Sequence, residues 1–263
     1  MMDPLQRPMT LGSAPDGVLA RGHGSTAVAL FHGFTSGPFS VAPWAEALAQ
    51  AGADVEVPLL PGHGTRWEDL ERVTAADWRA TARQTVDGLL ATHEHVFVAG
   101  LSMGGALALD AAAHRPVAGA VVVNPALRFA SAAAPLAGLL RLAVRTVAPI
   151  ANDTARPDAD ERAYPRTPLA GVRQIGTVQA AARRALPDID SPVLAFRSTT
   201  DHVVPQSSMT ALGRGLTPGL LTVRPLHNSY HVATLDWDAG LIHDESITFM
   251  SATVDSRSRE GLS

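Results

Sequence analysis

The pentapeptide Gly100-Leu101-Ser102-Met103-Gly104 restricts how this chain can fold more than any other stretch of it. It follows His95–Gly100 (HVFVAG), an apolar run that reads as a buried strand. It opens Met103–His114, an Ala- and Leu-rich helical pattern. A serine at such a strand-to-helix turn needs glycine on both sides, because side chains there would collide with the neighbouring backbone. The turn lifts the hydroxyl above the carboxyl edge of the sheet. The helix that follows aims its N-terminus at any oxyanion formed by attack. Ser102 is therefore the candidate nucleophile.

The same alternation runs through the chain. Thr26–Phe31, Ala53–Val57, His95–Gly100, Gly119–Val123, Pro192–Arg197 and Leu220–Arg224 read as buried strands. Val41–Ala51, Thr74–Thr92, Met103–His114, Gln206–Gly213 and Ala239–Met250 read as helices, with Thr74 and Asp77 spaced as a capping box. This order predicts an α/β fold, a mostly parallel sheet flanked by helices. At 263 residues and 46% apolar, the chain has enough core for one such domain. The rhythm breaks between Ala126 and Leu186, a crossover too long to be a structureless loop. The expected division is a core of residues 1–125 and 187–263 with an inserted cap at 126–186. Within the cap, Ala132–Ala148 is apolar and helix-prone, and Ala151–Pro168 is rich in Asp, Arg and Pro. The polar tail after Val254 is expected to fray.

A nucleophilic serine needs a base, and the base needs a carboxylate to orient it. In strand–turn–serine sites of this kind the acid comes next in the chain and the histidine last. Asp201 follows the strand PVLAFR and so reaches the carboxyl edge, whereas Asp188 and Asp190 precede it. His231 lies in the loop after the last strand and is the favoured base; His227, in the same loop, is the competitor. His114 and His243 lie at the end of the Ser102 helix and inside the terminal helix. Asp236 and Asp238, after the base, read as surface caps or pairs. Two backbone donors must face the oxyanion. The Met103 N–H is one; the Phe34 N–H, in His32-Gly33-Phe34-Thr35-Ser36-Gly37, is the other, with a glycine there letting the backbone bend inward. His32 and His63 read as braces rather than reactants.

Composition removes other chemistries. There is no Cys, so disulfides, thiolate metal sites and Cys nucleophiles are excluded. The ten histidines show no metal-ligand spacing, and no phosphate-binding Gly-rich loop joins a strand to a helix. No cofactor and no metal are expected. The net charge of −4 with no Lys/Arg run leaves no footprint for nucleic acid. The most apolar stretch, Pro116–Ala151, is broken by Arg and Pro before it could span a membrane. The N-terminus lacks a signal-peptide pattern, so a cytoplasmic location is the expectation.

Six motifs, HGFTSGP, LPGHGT, WEDLERVTAADW, GLSMGG, TDHVVP and NSYHVATLD, occur in that order between Gly24 and Met250. Together they resemble the bacterial monoacylglycerol lipase and small carboxylesterase group of the α/β-hydrolases. The resemblance implies an eight-stranded α/β-hydrolase core with a small cap, a Ser102–Asp201–His231 triad, and Phe34 and Met103 as oxyanion donors. It also implies that Glu161 contacts glycerol hydroxyls, that Ile150 lines the pocket and that Asn124 belongs to the substrate site. For Glu161 a solvated cap carboxylate is the bland alternative. Pro165-Arg166 departs from the group's acidic–basic pair. The implied activity is hydrolysis of monoacylglycerols through an acyl-enzyme on Ser102. A carboxylesterase indifferent to glycerol is the near alternative, and a non-catalytic binding protein the distant one. The implied partner is a small lipid ester, with transient contact between cap and membrane or micelle as an option for Ala132–Ala148; packing on the core is the other.

Overall fold

The computed structural model describes residues 12–14, 17–22, 24–130, 144–149 and 152–260. Ten strands are described: β1 (Gly12–Ala14), β2 (Gly17–Ala20), β3 (Thr26–Phe31), β4 (Asp54–Pro58), β5 (His95–Leu101), β6 (Gly119–Val123), β7 (Thr146–Val147), β8 (Thr167–Pro168), β9 (Val193–Ser198) and β10 (Leu221–Leu226). The helices are α1 (Ala42–Gln50), α2 (Ala75–Leu90), α3 (Met103–Ala112), α4 (Leu169–Ala185), α5 (Gln206–Gly215) and α6 (Ala239–Glu260). Eight strands form one sheet in the order β1-β2-β4-β3-β5-β6-β9-β10. From β4 to β10 every pair is parallel, and β1–β2 and β2–β4 are antiparallel. The expected α/β class and eight-stranded sheet are borne out. The strands β1 and β2 escaped reading because three or four residues carry too little periodicity.

Alternating side chains divide the core into two layers, as a pleated strand requires. Ala27, Ala29 and Phe31 of β3, Val96 and Val98 of β5, and Ala120 and Val122 of β6 pack with α2, α3, α4 and α5. The intervening residues, including Val28, Leu30, Phe97, Ala99, Val121 and Val123, pack with Trp44 and Leu48 of α1 and Ile242 and Met250 of α6. Both faces are covered, so these strands read as continuous apolar runs. The edge strand β10 differs: Thr222, Val223, Arg224 and Pro225 are exposed. Its expected burial was wrong, because an edge strand has a neighbour on one side only.

Helix α2 begins with the expected capping box. Asp77 N–H donates to Thr74 Oγ1 at 3.3 Å, and Thr74 N–H donates to Asp77 Oδ2 at 2.8 Å. Helix α6 runs to Glu260, so the expected fraying after Val254 is corrected: the helix carries DSRSRE as further turns. The connection from β6 to β9 contains the β7–β8 pair and α4, whose Ile175, Val178 and Ala182 join the core cluster of α3. Most of Ala132–Ala148, from 132 to 143, lies outside the described residues, as does Ile150. Among the described residues, no helix is long and apolar enough to cross a membrane.

The layer between α2 and α3 is fixed by charge as well as packing. Asp110 on α3 is buried and accepts from Arg79 at 2.9 and 3.1 Å and from Arg83 at 3.0 Å. Removing one partner of a buried ionic cluster leaves the others desolvated and unpaired. Asp110→Ala is expected to lower unfolding free energy by about 3 kcal/mol, measured by urea denaturation.

Candidate active site

Ser102 stands between β5 and α3 with φ 58° and ψ −116°. That left-handed conformation is tolerated because the flanking glycines let the backbone close around it. A Cβ on Gly104 would lie 2.0 Å from the Phe31 carbonyl oxygen, and one on Gly100 would lie 2.4 Å from the Gly104 carbonyl carbon. The serine backbone is also fully engaged. Its N–H donates to Val123 O at 3.0 Å, and its carbonyl accepts from Ala106 and Ala126.

The Ser102 Oγ lies 2.9 Å from His231 Nε2, and His231 Nδ1 lies 3.1 Å from Asp201 Oδ2. The three side chains named from chain order thus meet in series. Asp201 Oδ1 accepts the Val203 and Val204 N–H groups at 2.9 and 2.8 Å, and Oδ2 accepts Arg197 Nη1 at 2.5 Å. Burial alone would raise the Asp201 pKa. The hydrogen bond and charge of His231, the Val204 N–H and the Arg197 guanidinium outweigh it, holding the carboxyl below its ordinary value. With Nδ1 committed to Asp201, Nε2 is the nitrogen left to face the serine. His227 is exposed, and no hydrogen bond of its ring is described.

The loop after β3 passes directly beside the serine: the Cβ position of Gly33 is 3.8 Å from Ser102 Cβ. Gly33 and Phe34 line a cavity together with Ser102, Met103 and His231. Met103 is the first residue of α3, where a backbone N–H has no intrahelical partner. In the β3 loop the residue with positive φ is Thr35, at 65°, and not a glycine. Two buried histidines shape this loop. His32 Nδ1–H donates to Gly33 O at 2.8 Å while its Nε2 accepts the Leu60 N–H at 3.2 Å, a pattern only the neutral ring can make. His63 packs edge-on to His32 and Phe34, and its Nδ1 donates to Leu60 O and Pro61 O. Both are braces.

The cavity encloses about 730 Å³ of empty space, its open mouth included. Phe34, Leu101, Met103, Phe129, Ile175 and Val204 give it apolar walls, and Glu161 and Asp153 bring carboxylates to it. Glu161 is buried, and its Oε1 accepts the Asn152 N–H at 2.6 Å. Burial raises its pKa against the pull of that hydrogen bond and of His231. Asn124 does not line this cavity, which corrects its expected place at the substrate. Its Nδ2 donates to Ser198 Oγ and His231 O, both at 2.9 Å, and its Oδ1 accepts the Ser198 N–H. It ties the ends of β6 and β9 to the loop that carries His231.

Sequence reasoning missed Asp153. Its carboxylate accepts the His231 N–H at 3.2 Å, the His202 N–H at 3.1 Å and His202 Nδ1 at 2.7 Å. No local pattern marks it, because its partners lie 49 and 78 residues away. Asp236 and Asp238 were expected on the surface and are instead buried. Asp236 accepts the N–H groups of Ala155, Arg156 and Tyr230, and Asp238 accepts that of Asn228.

The model of the alpha/beta hydrolase family matches residues 28–242. The chain belongs to the alpha/beta hydrolase family. It is 40% identical over 230 residues to a thermostable monoacylglycerol lipase of Bacillus sp. (strain H-257), covering 87% of this chain and 92% of that protein. A carboxylesterase of Bacillus subtilis (strain 168) is 23% identical over 86% of this chain and 93% of its own. Among solved hydrolase structures, one from a study of the metagenome-derived lipolytic enzymes LipS and LipT superimposes with a TM-score of 0.86 at 35% identity. It covers 90% of this chain and 97% of that one. The resemblance read from the six motifs is therefore borne out.

Because His32 is held down to about 4 and His63 to about 3, chiefly by burial, both rings are neutral when folded. The unfolded chain protonates them near pH 6.5. Stability is thus fully present above about pH 6.5 and falls as pH drops toward the folded values, each ring costing about 2 kcal/mol by about pH 5. Urea midpoints across that range should show the slope, and His63→Asn should remove part of it.

Proposed function

We propose that this hydrolase cleaves monoacylglycerols to fatty acid and glycerol through an acyl-enzyme on Ser102. One observation carries the reading: the Ser102–His231–Asp201 series opens into an apolar-walled cavity that also holds the buried Glu161 carboxyl. The acyl chain lies along the apolar wall, and the glycerol lies toward Glu161. His231 takes the Ser102 proton as Oγ attacks the ester carbonyl, and Asp201 stabilises the imidazolium that results. The tetrahedral oxyanion is met by the Phe34 and Met103 N–H groups, each worth about 3 kcal/mol of barrier by analogy with measured donors. His231 then returns the proton to the departing glycerol oxygen, and water repeats the sequence on the acyl-enzyme. The 40% identity to a monoacylglycerol lipase across most of the chain supports this reading. Residues 126–186 act as the cap over the cavity, and transient contact with a membrane or micelle belongs to the same reading.

Ser102→Ala should lower ester hydrolysis by about 10⁴-fold or more while leaving the circular dichroism spectrum unchanged. Activity near that of the unmodified protein would remove Ser102 from the mechanism. Glu161→Gln should raise KM for a monoacylglycerol by about tenfold, the loss of a charged hydrogen bond, and leave the methyl ester of the same acid unaffected. Equal losses on both esters would leave a carboxylesterase without glycerol selectivity.

A further inference from the structure

Five arginines line a groove between α4 and α5: Arg128 from the loop after β6, Arg173, Arg183 and Arg184 from α4, and Arg214 from α5. No carboxylate lines it among the described residues. Several arginines elsewhere are matched by acids, as Arg79 and Arg83 are by Asp110, Arg115 by Asp87 and Arg224 by Glu245. Within the groove, among the described residues, no arginine has such a partner. On α4 the groove takes Arg173, Gly176, Thr177, Ala180, Arg183 and Arg184, which the helical repeat places on one face. Small residues between the arginines keep that face open. Arg183 is half-buried among them, and its Nη1 donates to Leu127 O. Burial, followed by repulsion from Arg128 and Arg184, pushes its guanidinium below the ordinary value. A bound anion relieves that repulsion.

The groove joins the ester cavity. Arg128, Phe129 and Gln179 line both. The groove holds about 1760 Å³ of empty space, its open mouth included, and its five arginines come from two helices and the loop after β6. That spread suits a layer of phosphates better than a single small anion. The chain as a whole carries −4, so an anionic surface repels it on average, while this face is one that such a surface attracts.

We propose that the arginine groove between α4 and α5 docks the protein on an anionic lipid bilayer, turning the mouth of the ester cavity toward the lipid. The orientation matters to catalysis only if the cavity takes lipid esters, and to that extent the proposal rests on the reading given above. The docking itself is independent of it. The contact surface is cationic and is built from α4, α5 and the loop that carries Arg128.

The test is co-sedimentation of the full chain with vesicles of phosphatidylcholine alone and of phosphatidylcholine and phosphatidylglycerol in equal parts. Binding is expected to the mixed vesicles only, weakening as salt rises. The triple variant Arg173→Gln/Arg184→Gln/Arg214→Gln should bind them about a hundredfold more weakly. These side chains do not line the ester cavity, so hydrolysis of a water-soluble acetate ester should be unchanged, which also reports that the variant folds. Ser102→Ala should bind vesicles as the unmodified protein does, which separates docking from catalysis. Equal binding to both vesicle types, or a triple variant that binds undiminished, would overturn the proposal. So would displacement by millimolar inorganic phosphate, which marks a free-anion site. A preference for a single-stranded oligonucleotide over the mixed vesicles would overturn it in favour of nucleic acid.

Discussion

At Gly104 the backbone of α3 comes so close to β3 that a Cβ would stand 2.0 Å from the Phe31 carbonyl oxygen. The approach brings the first turn of α3 over the sheet and forces Ser102 into a conformation, φ 58°, that costs of order 1–3 kcal/mol. A residue held in this way persists only if its surroundings leave it no alternative. Here the Ser102 N–H is spent on Val123 of β6, and the Ser102 carbonyl on Ala106 of α3 and Ala126 of the following loop. Three neighbouring strands and one helix therefore fix the nucleophile, all within the part of the fold where both faces of the sheet are buried.

His231 and Asp201 depend on a different kind of support. Both sit in loops near the β10 edge of the sheet, where packing is thinner and β10 itself is largely exposed. Polar side chains do there what packing does for Ser102. Asn124 binds the His231 carbonyl, Asp153 binds its N–H, and Arg197 with two backbone N–H groups holds Asp201. Asp153 belongs to the long β6–β9 connection. The same stretch is pinned by Asp236 at Ala155 and Arg156, and to the β3 loop by the Ser36 hydroxyl on Glu161 O and the Tyr164 N–H on Thr35 O. Residues 152–164 thus bridge the base loop and the loop that carries Phe34. Disturbance of this stretch reaches the chemistry without touching the serine.

This difference explains what the sequence made legible. Strands β3, β5 and β6 and the turn at Ser102 answer to local rules: apolar runs of strand length, glycines where backbones meet, and helix starts marked by Thr74 and Asp77. Asp201 and His231 were found because topology puts strand ends on one edge. Asn124 was assigned to the substrate, although its amide is spent on Ser198 and His231, because family likeness transfers a position without saying what its side chain faces. Asp153 and Arg197 carried no signal, and Asp236 read as a surface group, since each works through contacts that exist only after the loops have come together. The exposure of β10 was misread because apolar content marks a strand but not its place in the sheet.

The distribution of charge around the cavity bears on which alcohols it suits. Glu161 and Asp153 stand at one side of it and Arg128 at the other. Burial shifts Glu161 toward its protonated form while the Asn152 N–H favours the carboxylate, so the group stands ready to accept from a hydroxyl at little cost of reorganisation.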